Sequence, residues 1–246
     1  VTGINRLGFS QPEFEALLSD RQTMDGLDIS LLMSHLACAD EPAHPMNACQ
    51  RDAFAAIRAR LPGVPASLAN SSGVFLGSGF TQDLVRPGIA LYGGNPTPAA
   101  PNPMQAVAVL EGAVLQIRDV RPGETVGYSA TWTATRTSRV AVLGAGYKDG
   151  VPRALSSRQS DGPAHVFIAG QRCPVIGRIS MDMMAIDVTN LPQESVTRGT
   201  RAEILGRHIG IDEAAGWAGT ISYELLTRLG SRYARLYRGL ESDVSV

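Results

Sequence analysis

Residues 93–103, GGNPTPAAPNP, split the chain into two stretches whose hydrophobic patterns call for different folds. Proline fixes φ and removes a backbone donor, while glycine and asparagine favour turns, so the segment reads as a linker between domains. Before it, helical patterns alternate with short apolar runs. Ser10, Pro12 and Glu13 spell a capping box with proline in the first turn, and Phe14, Leu17 and Leu18 follow at i, i+3, i+4 spacing, which predicts a helix starting there. Residues 29–38 are a dense apolar run that suits a strand buried on both faces. Asn47 is placed to cap a second helix with Phe54, Ile57 and Leu61 on one face, stopped by Pro62 and Gly63. Residues 64–69 and 84–92 repeat the strand signal. This β-α-β-α-β order requires parallel strands joined by helical crossovers, hence an α/β layer or barrel.

After the linker come short strand signals at 106–117, 139–143, 164–168, 173–176, 183–188 and 202–205, with a turn at Arg121, Pro122, Gly123 and Glu124. That pattern reads as an all-β domain, so the fold class is α/β plus all-β. Two short helices are expected near its end, one opened by Asp212 and one over 222–229 with Gly230 as its C-cap. Charge excludes one class of partner: 22 Lys plus Arg against 23 Asp plus Glu leave a formal net charge of −1, without the basic footprint of a nucleic-acid binder. No apolar run approaches the roughly 20 residues of a membrane-spanning helix, and residues 1–20 lack the basic-then-apolar plan of a secretion signal. Cys38, Cys49 and Cys173 are too few and too scattered for a disulfide framework or a zinc site, so the expectation is a cytoplasmic protein without metal.

Parallel α/β folds place their sites at the C-terminal ends of strands, which singles out His35, Asn70, Ser71 and Arg86 through Ile89. Arg86 puts a fixed positive charge beside Gly88, whose amide is suited to a phosphate, and Ser71 follows a strand and precedes a turn of small residues. Each has a plainer reading, as a solvated arginine, a capping serine and a histidine satisfied in the core. Tyr128 and Tyr147 both sit among glycines, where a phenol projects into open space or simply completes a turn. Arg178 and Asp182 read as a structural ion pair.

Taken in order, residues 2–8 (TGINRLG), 35–40 (HLACAD), 69–71 (ANS), 85–93 (VRPGIALYG), 127–131 (GYSAT), 146–150 (GYKDG), 177–182 (GRISMD) and 221–224 (ISYE) resemble eight motifs of alanine racemases. The resemblance runs across essentially the whole chain. It implies a fold-type III pyridoxal-phosphate enzyme: the C-terminal portion of a TIM-type (β/α) barrel at 1–97 that binds the cofactor, then a mainly β domain at 98–246 carrying the catalytic tyrosine and dimer contacts. The implied reaction is interconversion of L- and D-alanine by two bases, in a head-to-tail homodimer. On the matching positions, the resemblance makes Tyr128 the base that reaches into the partner's site and sets Arg86 against the pyridine nitrogen of pyridoxal 5′-phosphate. It assigns Ser71, Gly88, Ile89 and Tyr223 to the phosphate, His35 to the ring, and Arg6 to the cofactor phenolate and substrate carboxylate. Tyr147 and Met181, the latter through its backbone amide, are implied to hold the substrate carboxylate and restrict the entrance. Ser129, Lys148 and Ser180 depart from the family's common glycine, alanine and cysteine.

The family's second base is a Schiff-base lysine in a motif near Lys-Ala-Asn-Ala-Tyr-Gly, which this sequence lacks; its only lysine is Lys148. The resemblance therefore implies the C-terminal part of a longer protein, inactive by itself. Two alternatives stay open: a fold-type III amino-acid decarboxylase, which shares barrel and β domain, and a truncated non-catalytic homologue that binds cofactor or partner only.

Overall fold

The computed structural model describes residues 2–157, 164–239 and the backbone of 244 and 245. It divides into two compact units, Val1–Gln105 and Ala106–Val246. In the first, the capping box forms as the spacing predicts: α1 (Gln11–Ser19) opens with the Glu13 amide donating to Ser10 Oγ and the Ser10 amide donating to the Glu13 carboxylate. Asp20 then caps α2 (Arg21–Asp25). The strand β1 is only Leu32–Met33, which corrects the expectation of a strand over 29–38 buried on both faces. Met33 is 60% exposed, and beyond Ser34 the backbone bonds to the side chains of Gln50 and Arg86 instead of a neighbouring strand.

The next helix, α3 (Pro45–Arg58), is capped by His44 and not by Asn47. Pro45 supplies the first helical φ, so the cap falls one residue before it, and His44 Nδ1 accepts from the Met46 amide at 3.1 Å. Asn47 lies inside the helix, where it forms a buried stripe with Gln50, Phe54 and Ile57. The buried strand β2 (Ala66–Asn70) leads through α4 (Ser71–Val74) and α5 (Ser78–Thr81) to β3 (Leu84–Arg86). The strand signal at 84–92 therefore ends early, because Pro87 and Gly88 turn the chain into a 3-10 turn at Ile89–Tyr92. The three strands pair in parallel in the order β1, β2, β3, with Leu32 opposite Ala66 and Asn70 opposite Arg86. Their C-terminal ends share one edge, and Leu36, Phe54, Leu68 and Phe80 form the core beneath.

The second unit contains β4 (Leu110–Val120), β5 (Thr125–Val126), β6 (Trp132–Thr133), β7 (Ser138–Leu143), β8 (His165–Ile168), β9 (Gln171–Ile176), β10 (Met184–Asp187) and β11 (Arg201–Leu205). Six of these close a barrel in the order β10, β7, β4, β11, β8, β9, a closure that leaves those strands no open sheet edge. The strand expected at 106–117 begins at Leu110 and runs on to Val120, since β4 pairs with β11 along one part and with β7 along the rest, with register shifts on both sides. Ala141, Leu143, Ile168, Ile186, Ala202 and Ile209 fill its interior. The turn after β4 forms as read, with Gly123 at φ +87° and the Glu124 amide donating to the Arg121 carbonyl at 3.0 Å.

Gly210, not Asp212, caps α6 (Ile211–Trp217); Asp212 lies in the first turn. The last helix, α7 (Ser222–Thr227), stops before Gly230, whose amide donates to the Asp149 carbonyl at 3.1 Å and so does not act as its C-cap. Among the described residues no helix is long and apolar enough to cross a membrane.

Leu143 is 0% exposed in the barrel interior. Leu143→Ala should destabilise the protein by about 2–5 kcal/mol, through lost transfer energy and a residual cavity, read as a lower midpoint in urea denaturation. An unchanged midpoint would contradict this account of the core.

Candidate active site

Arg86 ends β3, and among the described residues neutral groups alone hold its guanidinium. Nη1 donates to Ser67 Oγ, and Nη2 donates to the Ser34 carbonyl at 2.6 Å and reaches the Leu68 carbonyl at 3.5 Å. Ser67 Oγ gives its own proton to the Leu84 carbonyl at 2.8 Å, which turns its lone pairs toward the arginine. Among the described residues no carboxylate pairs with Arg86. Burial pulls its pKa down.

His35 Nδ1 lies 3.4 Å from Arg86 Nη2. Burial first, then the cations Arg86 and Arg6, push the imidazole pKa down, so the ring is neutral at pH 7. With a donor facing Nδ1, the ring proton belongs on Nε2. Arg6 itself is exposed.

Ser71 is 1% exposed and opens α4 behind Asn70, whose Oδ1 accepts from the Gly73 amide at 2.9 Å. Its hydroxyl accepts from the Gly88 amide at 2.7 Å and the Ala90 amide at 3.3 Å, which ties the turn after β2 to the turn after β3. Among the described residues nothing lies within 4 Å of where a Cβ on Gly88 would stand, so this turn borders open space, while Ile89 beside it is buried. A fixed cation, a neutral imidazole and the Ser71 hydroxyl thus share one edge of the sheet, and the Gly88 amide that the sequence offered to a phosphate is already donated to Ser71. This donor set suits a flat ring bearing an acceptor nitrogen and an anionic group.

In the second unit Tyr128 is 69% exposed, on a turn that follows Gly127 at φ +81°. A Cβ on Gly127 would meet the Arg178 nitrogen at 3.0 Å, and one on Gly177 would meet the Val126 oxygen at 2.6 Å. The two glycines therefore let the backbones at 126–127 and 177–178 pass at contact distance. Arg178 donates to Ser129 Oγ at 2.9 Å, and the expected pair with Asp182 does not form because Asp182 is held by Arg232 at 2.6 Å.

Arg232 also binds the buried Asp149 at 2.9 Å, whose carboxylate accepts from the Gly146 amide at 2.9 Å. The Tyr147 and Lys148 amides donate to the carbonyls of Ser180 at 3.1 Å and Met181 at 3.0 Å. One guanidinium and two backbone bonds thus bring Tyr147 and Met181 onto adjoining loops, both side chains partly exposed. Tyr223 lies on α7, with 46% of its surface exposed.

Sequence reasoning missed the residues that hold this machinery. Gln50 and Ser67 are both 0% exposed and support His35 and Arg86. The signal for Gln50 was present: a polar side chain on the helix stripe that also carries Phe54 and Ile57 needs buried partners. Arg232 gave no local signal, since its partners Asp149 and Asp182 are remote in sequence.

Residues 1–96 match the family described as alanine racemase, N-terminal domain, and residues 107–237 that described as alanine racemase, C-terminal domain. The alanine racemase of Rhodospirillum rubrum is 48% identical over 239 residues, covering 97% of this chain and 63% of its own length. That of Methylobacterium sp. (strain 4-46) is 49% identical over 236 residues, covering 96% of this chain and 63% of its own. The crystal structure of alanine racemase from Bartonella henselae with covalently bound pyridoxal phosphate is similar with a TM-score of 0.84 at 39% identity, over 94% of this chain and 63% of that one. The chain thus spans about 63% of the length of these relatives.

The lowered His35 pKa makes a signed prediction. Below the ordinary imidazole value of about 6.5 the unfolded chain takes up a proton that the folded chain refuses, so this residue's contribution to stability is present above that pH and is lost as pH falls toward the folded pKa. In an NMR titration His35 should ionise below the ordinary value, and Arg86→Gln should move it upward but not fully, because burial remains. Ionisation at or above the ordinary value in the native protein would contradict the geometry.

Proposed function

Since the chain belongs to the alanine racemase family, we propose that the protein, over the full length of its relatives, interconverts L- and D-alanine with pyridoxal 5′-phosphate. The observation that carries this reading is the Arg86 guanidinium, partly buried and without a carboxylate partner among the described residues. Such a group suits a pyridine nitrogen, which needs a hydrogen-bond donor and no counter-ion. When bound, the cofactor supplies a sink for the electron pair left at the substrate Cα.

The chain's own residues do the rest. Ser71 takes the Gly88 and Ala90 amides on its lone pairs, which leaves its proton to donate to the phosphate. Gly88 and Ile89 line that turn, and Tyr223 from the β domain is assigned as a further phosphate ligand. His35, neutral and set against Arg86, contacts the ring without adding charge. Arg6 serves the cofactor phenolate and the substrate carboxylate. Residues 1–97 form the cofactor-binding portion and 98–246 the β domain.

Inversion needs a base on each face of Cα, because one base returns the proton to the side it left. Tyr128 is assigned to one face, and its 69% exposure suits a phenol that completes the site of a second subunit in a head-to-tail homodimer. The opposite face is assigned to the Schiff-base lysine that the family resemblance implies. Met181 and Tyr147, on loops clamped by Arg232, hold the substrate carboxylate and limit the entrance to small side chains. The balanced charge and scattered cysteines favour a cytoplasmic setting.

Coupling D-alanine formation to an amino-acid oxidase, with and without added cofactor, tests the reading. Cofactor-dependent D-alanine is expected in the full-length protein, whereas amine and carbon dioxide without D-alanine would point to the decarboxylase alternative. In the same protein Tyr128→Phe should lower turnover by about 10²–10⁴ in both directions while cofactor remains bound. Retained racemisation would remove Tyr128 from the mechanism.

A further inference from the structure

Gln50 is fully buried in the middle of α3, on the side that packs with Phe54 and Ile57. A leucine or methionine would fill that stripe without the cost of burying an amide, so the side chain's bonds must offset its desolvation. Gln50 Oε1 accepts from the Ala37 amide at 2.8 Å, and Nε2 donates to the His35 carbonyl at 3.0 Å. One planar amide therefore offers residues 35 and 37 the acceptor and donor that a neighbouring strand would have offered. This occurs where β1 has ended and the backbone no longer follows the sheet.

The same nitrogen reaches Thr2 Oγ1 at 3.4 Å, and Thr2 Oγ1 is hydrogen-bonded to Ser34 Oγ. Ser34 is fixed in turn by its amide to the Ser67 carbonyl at 3.0 Å and by its carbonyl to Arg86 at 2.6 Å. Both backbone neighbours of the His35 side chain are thereby pinned, and the pins on one side start from Gln50.

We infer that Gln50 is a positioning residue of the site: its amide fixes the backbone around His35, and so sets the imidazole against Arg86 and, on the functional reading above, against the cofactor ring. It touches neither cofactor nor substrate. Its removal should loosen the ring's placement more than it changes substrate binding.

The test uses the full-length holoprotein with Gln50→Met, which keeps the volume and the apolar stripe but removes the bonds to Ala37, His35 and Thr2. Turnover should fall about tenfold, because Gln50 acts on the chemistry only through the placement of His35, with KM for alanine changed less than twofold. The visible band of the bound cofactor should shift, and the His35 ring-nitrogen signals should move toward those of a free histidine. A folded Gln50→Met with wild-type turnover, cofactor band and His35 signals would overturn the proposal, as would lost activity with His35 signals unchanged.

Should that variant not fold, the wild type still decides, through hydrogen exchange at the Ala37 amide. Strong protection is expected where Gln50 holds that hydrogen, and exchange at the rate of an open loop would overturn the proposal. The His35 and Ala37 readouts need no cofactor, so a wild-type protein that binds no pyridoxal phosphate would sink the functional reading while leaving the role of Gln50 to be judged on its own.

Discussion

A guanidinium partly withdrawn from water, with no carboxylate beside it among the described residues, has to be held by neutral acceptors, and the three parallel strands of the first unit are built so that those acceptors converge on Arg86. Ser67 on the middle strand, the Ser34 carbonyl past the end of β1 and the more distant Leu68 carbonyl do so from separate points of the sheet. The register that sets Asn70 opposite Arg86 brings Ser71 within reach of the Gly88 and Ala90 amides. His35 then meets a donor and stays neutral. A carboxylate in place of these acceptors would neutralise the charge that Arg86 brings to the site.

The second unit solves a different problem. Its barrel is closed, and the segments between its strands are free to carry exposed side chains without destabilising the core. Glycine makes their close approaches feasible: a Cβ on Gly146 would stand 2.4 Å from the Met181 oxygen, and one on Gly150 2.4 Å from the Arg228 oxygen. The buried Asp149 is acceptable there because the Gly146 amide and Arg232 both satisfy it. Arg232 spends its charge on two aspartates of different loops, so the relative placement of Tyr147 and Met181 depends on a residue beyond α7.

How much of this was legible in the sequence follows from the range of the forces involved. The capping box at Ser10 and Glu13 is local chemistry and formed as read, and the strand signals of the second unit reflect an alternation that burial enforces. Barrel closure was not readable, because pairing between strands far apart leaves no mark in either one. The run at 29–38 misled for the opposite reason: apolar content signals burial but not backbone pairing, and residues 34 to 37 are held largely by side chains. Asn47 has the right chemistry for a cap, yet the proline two residues earlier had already fixed the helix start. The addresses of His35, Ser71 and Arg86 at strand ends follow from the β-α order, while the groups that hold them could be found only in three dimensions.

Two bases on opposite faces of the substrate Cα are the center of the proposed chemistry, and the isotope content of the product in heavy water tests them most directly. With the full-length protein in D2O and L-alanine as substrate, the D-alanine formed in the earliest turnovers should carry deuterium at Cα, because the base that delivers the hydrogen exchanges with solvent separately from the base that removed it. D-alanine that instead retains the original Cα hydrogen in most molecules would mean that a single group carries it from one face to the other, and would contradict the assignment of Tyr128 to a face of its own.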